Sequence, residues 1–371
     1  MRINFHYFLI AILFWGCVTN NSKVDNHTKN KNGFAEINII KKQFPNWFLD
    51  SVKTYFNSDF HGVVLFKKGN YFYENAFGYA DINEKEKMKL SHLFQLASVS
   101  KTVTGVATLI LEQMGKIHLD SHVNHYLKDF PYKGIKVKHL LTHRSGLPNY
   151  MYSIDTFWKD TNKAMNNADF YHYMKTSIPE IYNEPDATFS YCNTNYAYLA
   201  YLIEKISGIS FQQFVIDNIF KPCGMKNSYF YGDTSGHLKK NLVIGRMEKV
   251  EYDNHYIQNG ILGDKSLYSC TYDLMLFHDA LCHNKLLNSK NFKLINQPSY
   301  DYNVYGGSYS YGFRLKNTPY GLFVYHNGWW KGFYTFFWNK FESKSCFVAL
   351  TNNKKSSHID ELKMMGWLDK V

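Results

Sequence analysis

The sequence predicts an α/β (α+β) fold, a mainly antiparallel sheet flanked by helices, built from the two ends of the chain with an all-helical domain inserted between them. Three observations predict it. Strand-like runs lie at residues 62–66 and 71–77 and again at 322–326, 333–338 and 346–351. Helices and loops fill the middle, roughly 119–297, and no repeat or low-complexity tract breaks the 371 residues.

Taken in order, Arg2 precedes an apolar stretch from Phe5 to Trp15 that ends at Gly16-Cys17. It is too short for a membrane span and runs straight into polar residues, so residues 1–16 read as a signal peptide. A small residue before Cys resembles a bacterial lipoprotein signal. That implies Cys17 as lipid anchor, residues 17–35 as a polar tether, and an extracytoplasmic, periplasmic or cell-envelope protein held at the membrane. Residues 36–118 and 298–371 form the expected sheet domain and 119–297 the helical domain.

Within the sheet domain, Phe48, Val52, Tyr55 and Phe56 recur at helical spacing behind Pro45, a residue suited to a first turn. The first two strands flank Lys67-Lys68-Gly69-Asn70, a hairpin signature. Val99, Val103, Val106, Ala107, Ile110, Leu111 and Met114 mark a helix that Gly115 closes. A second helix runs through Tyr196, Leu199, Ile203 and Ile206 to Gly208, and residues 359–368 form a last one.

Composition excludes several classes. Hydrophobic residues make up 45 % and charged residues 20 %, an ordinary globular balance. The net charge of +11 is spread over single or paired lysines with no long basic run, so a solvated surface and no nucleic-acid partner is the reading. Cys17, Cys192, Cys223, Cys270, Cys282 and Cys346 are widely spaced without any C-x-x-C; beyond Cys17 they read as buried small hydrophobes. His139 and His143 stand four apart on a predicted helix, but no H-E-x-x-H occurs; these, with His118, His122 and His125, are taken as structural, and no metal or cofactor is expected. The absence of G-x-S-x-G and of G-x-x-x-x-G-K removes nucleophile-elbow hydrolases and P-loop NTPases.

Three short patterns carry chemistry. In Ser98-Val99-Ser100-Lys101, a helix starting at Ser98 puts the lysine one turn on, within reach of a hydroxyl that needs a base or cation to become a nucleophile. Tyr191-Cys192-Asn193 offers a phenol for proton traffic and an amide for hydrogen bonding. His326-Asn327-Gly328 ends a predicted strand, where a glycine lets an extended ligand lie along the edge. Each is weak alone, since Ser and Lys also cap helices and Tyr and Asn abound.

Together, in this order, they resemble the serine penicillin-recognising enzymes, the class C β-lactamase and D,D-peptidase group, with signatures S-x-x-K, Y-x-N and K-T-G or H-x-G. Gly78-Tyr79-Ala80-Asp81, FQLASVSKTVTG from Phe94, HLLTHRSGLP from His139, GDKSLYS from Gly263 and NGWWKGF from Asn327 match other family segments. The resemblance implies a β-lactamase/transpeptidase-like fold with the catalytic cleft between the two domains.

It also implies roles. Ser98 would be the acylated nucleophile, Lys101 its activator and Tyr191 the residue that takes and returns the proton. Asn193 would bind the acyl-side amide, His326 would help position substrate and Tyr191, and Gly328 would line the strand edge. The backbone N–H groups of Ser98 and Trp329 would form the oxyanion hole. HNG in place of K-T-G is more like peptidases and esterase-like members than efficient β-lactamases, and Trp329-Trp330 adds bulk that would narrow the cleft or pack into the core. The expected activity is an acyl-enzyme hydrolase for D-Ala-D-Ala-type peptidoglycan peptides or related small amides. An esterase or weak β-lactamase uses the same machinery, and the alternative from another class is a penicillin-binding sensor that does not turn over. Such a sensor needs a membrane span and a cytoplasmic partner domain, and the intact Ser98, Lys101, Tyr191 and Asn193 favour catalysis.

Overall fold

Continuous apolar runs in the terminal strands, with successive residues pointing to opposite sides, give one sheet two buried faces. In the computed structural model, which describes residues 42–56, 59–160, 162–232, 241–247, 250–252, 256–299 and 307–371, these strands belong to one unit, Ile40–Val371. The leader, the tether and Cys17 lie outside the described residues.

The strands are β1 (Gly62–Lys68), β2 (Tyr71–Phe77), β3 (Gly307–Tyr309), β4 (Arg314–Thr318), β5 (Gly321–Trp330), β6 (Phe333–Lys340) and β7 (Ser345–Thr351). They form one antiparallel sheet in the order β3-β4-β5-β6-β7-β1-β2, so the first and last parts of the chain meet where β1 pairs with β7. Gly69 takes φ +52° in the two-residue β1–β2 turn, a conformation glycine adopts without a Cβ clash.

Val64, Phe66, Phe347, Ala349, Phe336 and Trp338 point to one face, under helix α1 (Asn46–Phe56) and the C-terminal helix (Glu361–Asp369). Val63, Leu65, Val348, Leu350 and Phe337 point to the other. There they join α2 (Ser100–Gln113), α3 (Asn167–Ser177), α4 (Asn193–Ser207) and α5 (Thr271–Cys282) in a single continuous core. Strand β5 runs through the HNG segment to Trp330, further than the sequence suggests. The middle of the chain also holds short strands that periodicity did not reveal, among them Leu267–Ser269, which pairs with Phe94–Gln95 and Tyr229–Phe230. No helix among the described residues is long and apolar enough to cross a membrane.

One buried contact ties α5 to the sheet. His278 is fully buried, donates from Nδ1 to Asn339 Oδ1 at 2.8 Å and stacks on Phe341. Burial holds its pKa down at about 4, and burial does the same to His139. Each is neutral in the fold and protonates near 6.5 when unfolded, so the unfolded chain binds more protons between those values. Stability contributed by neutral burial is present above about pH 6.5 and is lost as pH falls toward about 4. Melting temperature is expected to drop across this window, with a shallower slope in His278→Gln; equal slopes for the two proteins would refute the assignment.

Candidate active site

The nucleophile candidate sits on a sharp turn. After Phe94–Gln95, Leu96 N–H bonds Leu267 O at 2.8 Å, and Ala97 then adopts φ +49°, costly for a residue with a Cβ. A 3-10 turn, Ala97–Val99, leads into α2 at Ser100, so the helix proper starts two residues later than Ser98. From His92 to Leu111 only Ser98 is not buried. Ser98 is thus the one partly exposed residue in a packed segment, held next to the N-terminal end of a helix.

Lys101 is fully buried and surrounded by three acceptors. Its Nζ donates to Ser98 Oγ at 3.1 Å, to Asn193 Oδ1 at 2.7 Å and to the Asp264 backbone carbonyl at 2.8 Å. Asn193 opens α4, whose Tyr196 ring lies 5.7 Å from the amine, while the Tyr191 ring lies 5.1 Å away. Asn193 Nδ2 is directed at Met151 Sδ, 2.7 Å away. The structure therefore brings Ser98, Lys101, Tyr191 and Asn193 into one cluster.

Tyr191 packs against a buried histidine. The Tyr191 and His143 ring centroids are 4.3 Å apart. His143 Nδ1 accepts from Cys192 N–H at 3.1 Å and from Asn195 Nδ2 at 3.0 Å, which leaves the proton on Nε2. Burial first, then the charges of Lys101 and Arg314, holds the His143 pKa well below the usual value, so the ring is neutral. His143 Nε2 and Tyr191 Oη are both buried and have no hydrogen-bond partner among the described residues. His143 lies beyond the short helix Val137–Leu141 that carries His139, so the two are not on one helical face. Ser145 and Pro148 of the same segment also hold α4, through Asn195 Oδ1 and Thr194 Oγ1.

Strand β5 closes the other side. Its ladder with β4 ends at Tyr325 opposite Arg314, so residues 326–330 pair with β6 alone among the described residues. Gly328 is needed for packing inside the chain rather than for room along the edge. A Cβ there would stand 2.4 Å from Leu96 O and 2.3 Å from Thr335 Oγ1. Thr335 Oγ1 donates to Leu96 O at 2.7 Å and locks the strand pair onto the turn that bears Ser98.

His326 is buried, and both of its nitrogens are occupied. Nδ1 donates to the Asn327 carbonyl at 2.7 Å, and Nε2 accepts from Tyr309 Oη at 3.2 Å. Burial, then Arg314 and Lys101, keeps its pKa well below the ordinary range, so it brings no charge to the site. Besides Lys101, the cation near Tyr191 is instead Arg314, whose Cζ lies 5.1 Å from the Tyr191 ring and 5.8 Å from that of Tyr309. Trp329 and Trp330 point to opposite faces. Trp330 donates to Asn259 Oδ1 at 3.0 Å on the side of His326 and Gly328, whereas the Trp329 indole is 59 % exposed on the face where Asn327 accepts from Trp338. Only the Trp329 backbone runs along the site.

Sequence reasoning did not find Arg314, Tyr309 or the Asp264 carbonyl. HLLTHRSGLP and GDKSLYS pointed to two of the regions, but no short pattern marks Tyr309 or Arg314. His118, His122 and His125 are exposed, His139 is buried, and no group of three or more His, Cys, Asp or Glu able to hold a metal occurs among the described residues. Cys192, Cys223, Cys270, Cys282 and Cys346 are free thiols, and burial pushes Cys223 and Cys282 up to about 12.

Comparison with known proteins identifies the family and the fold. The family model described as Beta-lactamase matches residues 58–364. Penicillin-binding protein 4* of Bacillus subtilis (strain 168) is 31 % identical over 319 residues, covering 81 % of this chain and 70 % of that protein. A penicillin binding protein from Bacillus halodurans superposes with a TM-score of 0.74 at 22 % identity, covering 88 % of this chain and 99 % of the other. The D-amino acid amidase from Ochrobactrum anthropi SV3 has the same fold, with a TM-score of 0.73 at 20 % identity over 88 % of this chain and 97 % of its own. With the family model spanning most of the chain and its fold shared by both structures, this protein belongs to the β-lactamase family of serine hydrolases.

Proposed function

We propose that the protein is a serine acyl-transfer hydrolase that forms an acyl-enzyme on Ser98 and acts on D-Ala-D-Ala-type cell-wall peptides or related D-configured amides. The observation that carries this reading is the half-buried Ser98 hydroxyl, 3.1 Å from the buried amine of Lys101 in an otherwise closed segment. Penicillin-binding and D-amino acid amidase relatives support the substrate class.

In the proposed mechanism Ser98 Oγ attacks the scissile carbonyl carbon while Lys101 donates to it and offsets the charge of the forming alkoxide. Tyr191 takes the Ser98 proton and returns it to the leaving nitrogen. Negative charge on its oxygen is met by Lys101 and Arg314, each 5.1 Å from the ring. The carbonyl oxygen is stabilised by the N–H groups of Ser98 and Trp329, whose strand is clamped to the Ser98 turn through Gly328. Asn193 Nδ2 exchanges Met151 Sδ for the acyl-side carbonyl of the substrate, which lies along the open edge of β5. Water then deacylates the enzyme. A peptide ending in a free carboxylate finds its counter-ion in Arg314, because His326 is neutral.

Three outcomes are expected. With benzylpenicillin, intact mass should show an adduct on the wild type, none on Ser98→Ala, and acylation slowed about 10³-fold in Lys101→Ala; an adduct on Ser98→Ala would sink the nucleophile assignment. Arg314→Ala should raise KM about 10- to 100-fold for a peptide with a free C-terminal carboxylate and hardly at all for its amidated form. Equal effects on the two substrates would remove Arg314 from the reading. If Cys17 carries lipid, Cys17→Ser should move the full chain from the detergent to the aqueous phase, and unchanged partitioning would exclude the anchor.

A further inference from the structure

Behind Lys101 lies a second buried lysine that the mechanism does not use. Lys265 and Asp264 form an ion pair at 3.3 Å with side chains 4 % and 0 % exposed. Lys265 Nζ also donates to Tyr150 Oη at 2.5 Å, and Tyr150 Oη donates to Asp264 Oδ2 at 2.9 Å. The amine faces the Tyr150 ring at 5.2 Å and the Trp330 ring at 5.5 Å. This trio is joined to the reacting groups at two points. The Asp264 carbonyl receives a hydrogen bond from Lys101, and Tyr150 N–H bonds Thr194 Oγ1, next to Asn193.

The charges define a problem that this arrangement solves. Asp264 is a carboxylate with no access to water, and such a group holds its place only if paired. Two lysines lie within electrostatic reach of each other here, since Lys101 is among the groups that lower the Lys265 pKa, after burial. A carboxylate without Lys265 would have beside it Lys101, a buried cation already hydrogen-bonded to the carbonyl of the same residue. Capture of Lys101 by that carboxylate would turn the amine away from Ser98 Oγ.

We propose that Lys265 is a positioning residue for Lys101: by holding the Asp264 carboxylate against Tyr150, it keeps that charge off Lys101 and fixes the Asp264 carbonyl that aims the amine at Ser98. The proposal rests on the acyl-enzyme reading and adds a residue to it. It predicts that Lys265 matters only while Asp264 is charged.

The test uses the rate at which a fluorophosphonate probe labels the protein, read separately as maximal rate and half-saturating concentration. Wild type should be labelled and Ser98→Ala should not; an unlabelled wild type would overturn the nucleophile assignment and this proposal with it. Lys265→Met should lower the maximal rate on the order of 10²-fold, the scale of a misplacement of about 1 Å, with half-saturation changed less than about twofold. The double variant Lys265→Met/Asp264→Asn keeps the acceptor for Tyr150 but has neither charge, and should recover to within about fivefold of wild type. Wild-type labelling by Lys265→Met, or a double variant no faster than Lys265→Met, would overturn the proposal. Should Lys265→Met not fold, the double variant decides: near-wild-type labelling supports the role, and a loss of about 10²-fold refutes it.

Discussion

The seam between β5 and the turn at Leu96–Ala97 is the constraint on which the site depends. Two distant parts of the chain converge there: the turn before α2, and the hairpin of the HNG strand with β6, whose Thr335 hydroxyl bonds Leu96 O. No side chain fits at residue 328, because a Cβ would enter both Leu96 O and Thr335 Oγ1. The contact holds Ala97 at φ +49°, and that backbone conformation lifts Ser98 out of a segment in which every neighbour is buried. Sheet, helix and nucleophile are thus fixed relative to one another before any ligand binds, which is the form that preorganised catalysis takes.

A rigid seam alone would not orient the amine. Lys101 is enclosed, and its position is set by what surrounds it: a hydroxyl, a side-chain amide and a backbone carbonyl. Two of these acceptors come from segments that are themselves held by buried polar contacts. Asn193 begins α4, which Ser145, Pro148 and His143 fasten from one side. Asp264 follows a turn whose Gly263 carbonyl accepts from Thr104 on α2. Buried polar groups are costly unless their bonds are made, and here they are made largely among themselves. The helical region therefore does more than cover the sheet, since it supplies two of the three acceptors around the lysine.

The ladder of β1, β5, β6 and β7 and the main helices were legible in the sequence, because continuous apolar strand runs and 3.6-residue patterns report directly on burial. Val63, Val64, Leu65 and Phe66 are all apolar and all buried, alternate residues lying on opposite faces of the sheet. Short elements carry no such signal. Two- and three-residue strands such as Phe94–Gln95 and Leu267–Ser269 are too brief for a period, yet they position Ser98. Of the site, Ser98, Lys101, Tyr191 and Asn193 could be read because their spacing along the chain is fixed by one helix turn or by the short entry into α4. Arg314 could not. It reaches Tyr191 through the register of β4 on β5, and register is a property of pairing that no local pattern encodes.

That same register explains how the site manages without a lysine in its third motif. His326 lies where the K-T-G signature has its lysine, but burial and two positive neighbours keep it neutral, and its ring nitrogens are bound by Tyr309 and Asn327. The missing charge reappears one strand over, at the residue where the β4–β5 ladder stops. Arg314 belongs to the last β4–β5 pair, beyond which β5 pairs with β6 alone among the described residues, so in the proposed mechanism it stands at the end of the edge that an extended ligand would occupy. A lysine at 326 would put a point charge beside the reacting bond; an arginine at 314 presents a planar fork farther along the chain of a bound peptide. Moving the cation in this way separates two tasks that one lysine would combine. In the proposed mechanism proton traffic stays with Lys101 and Tyr191, and recognition of a terminal carboxylate passes to Arg314, so selectivity for the end of the substrate can change without disturbing Ser98.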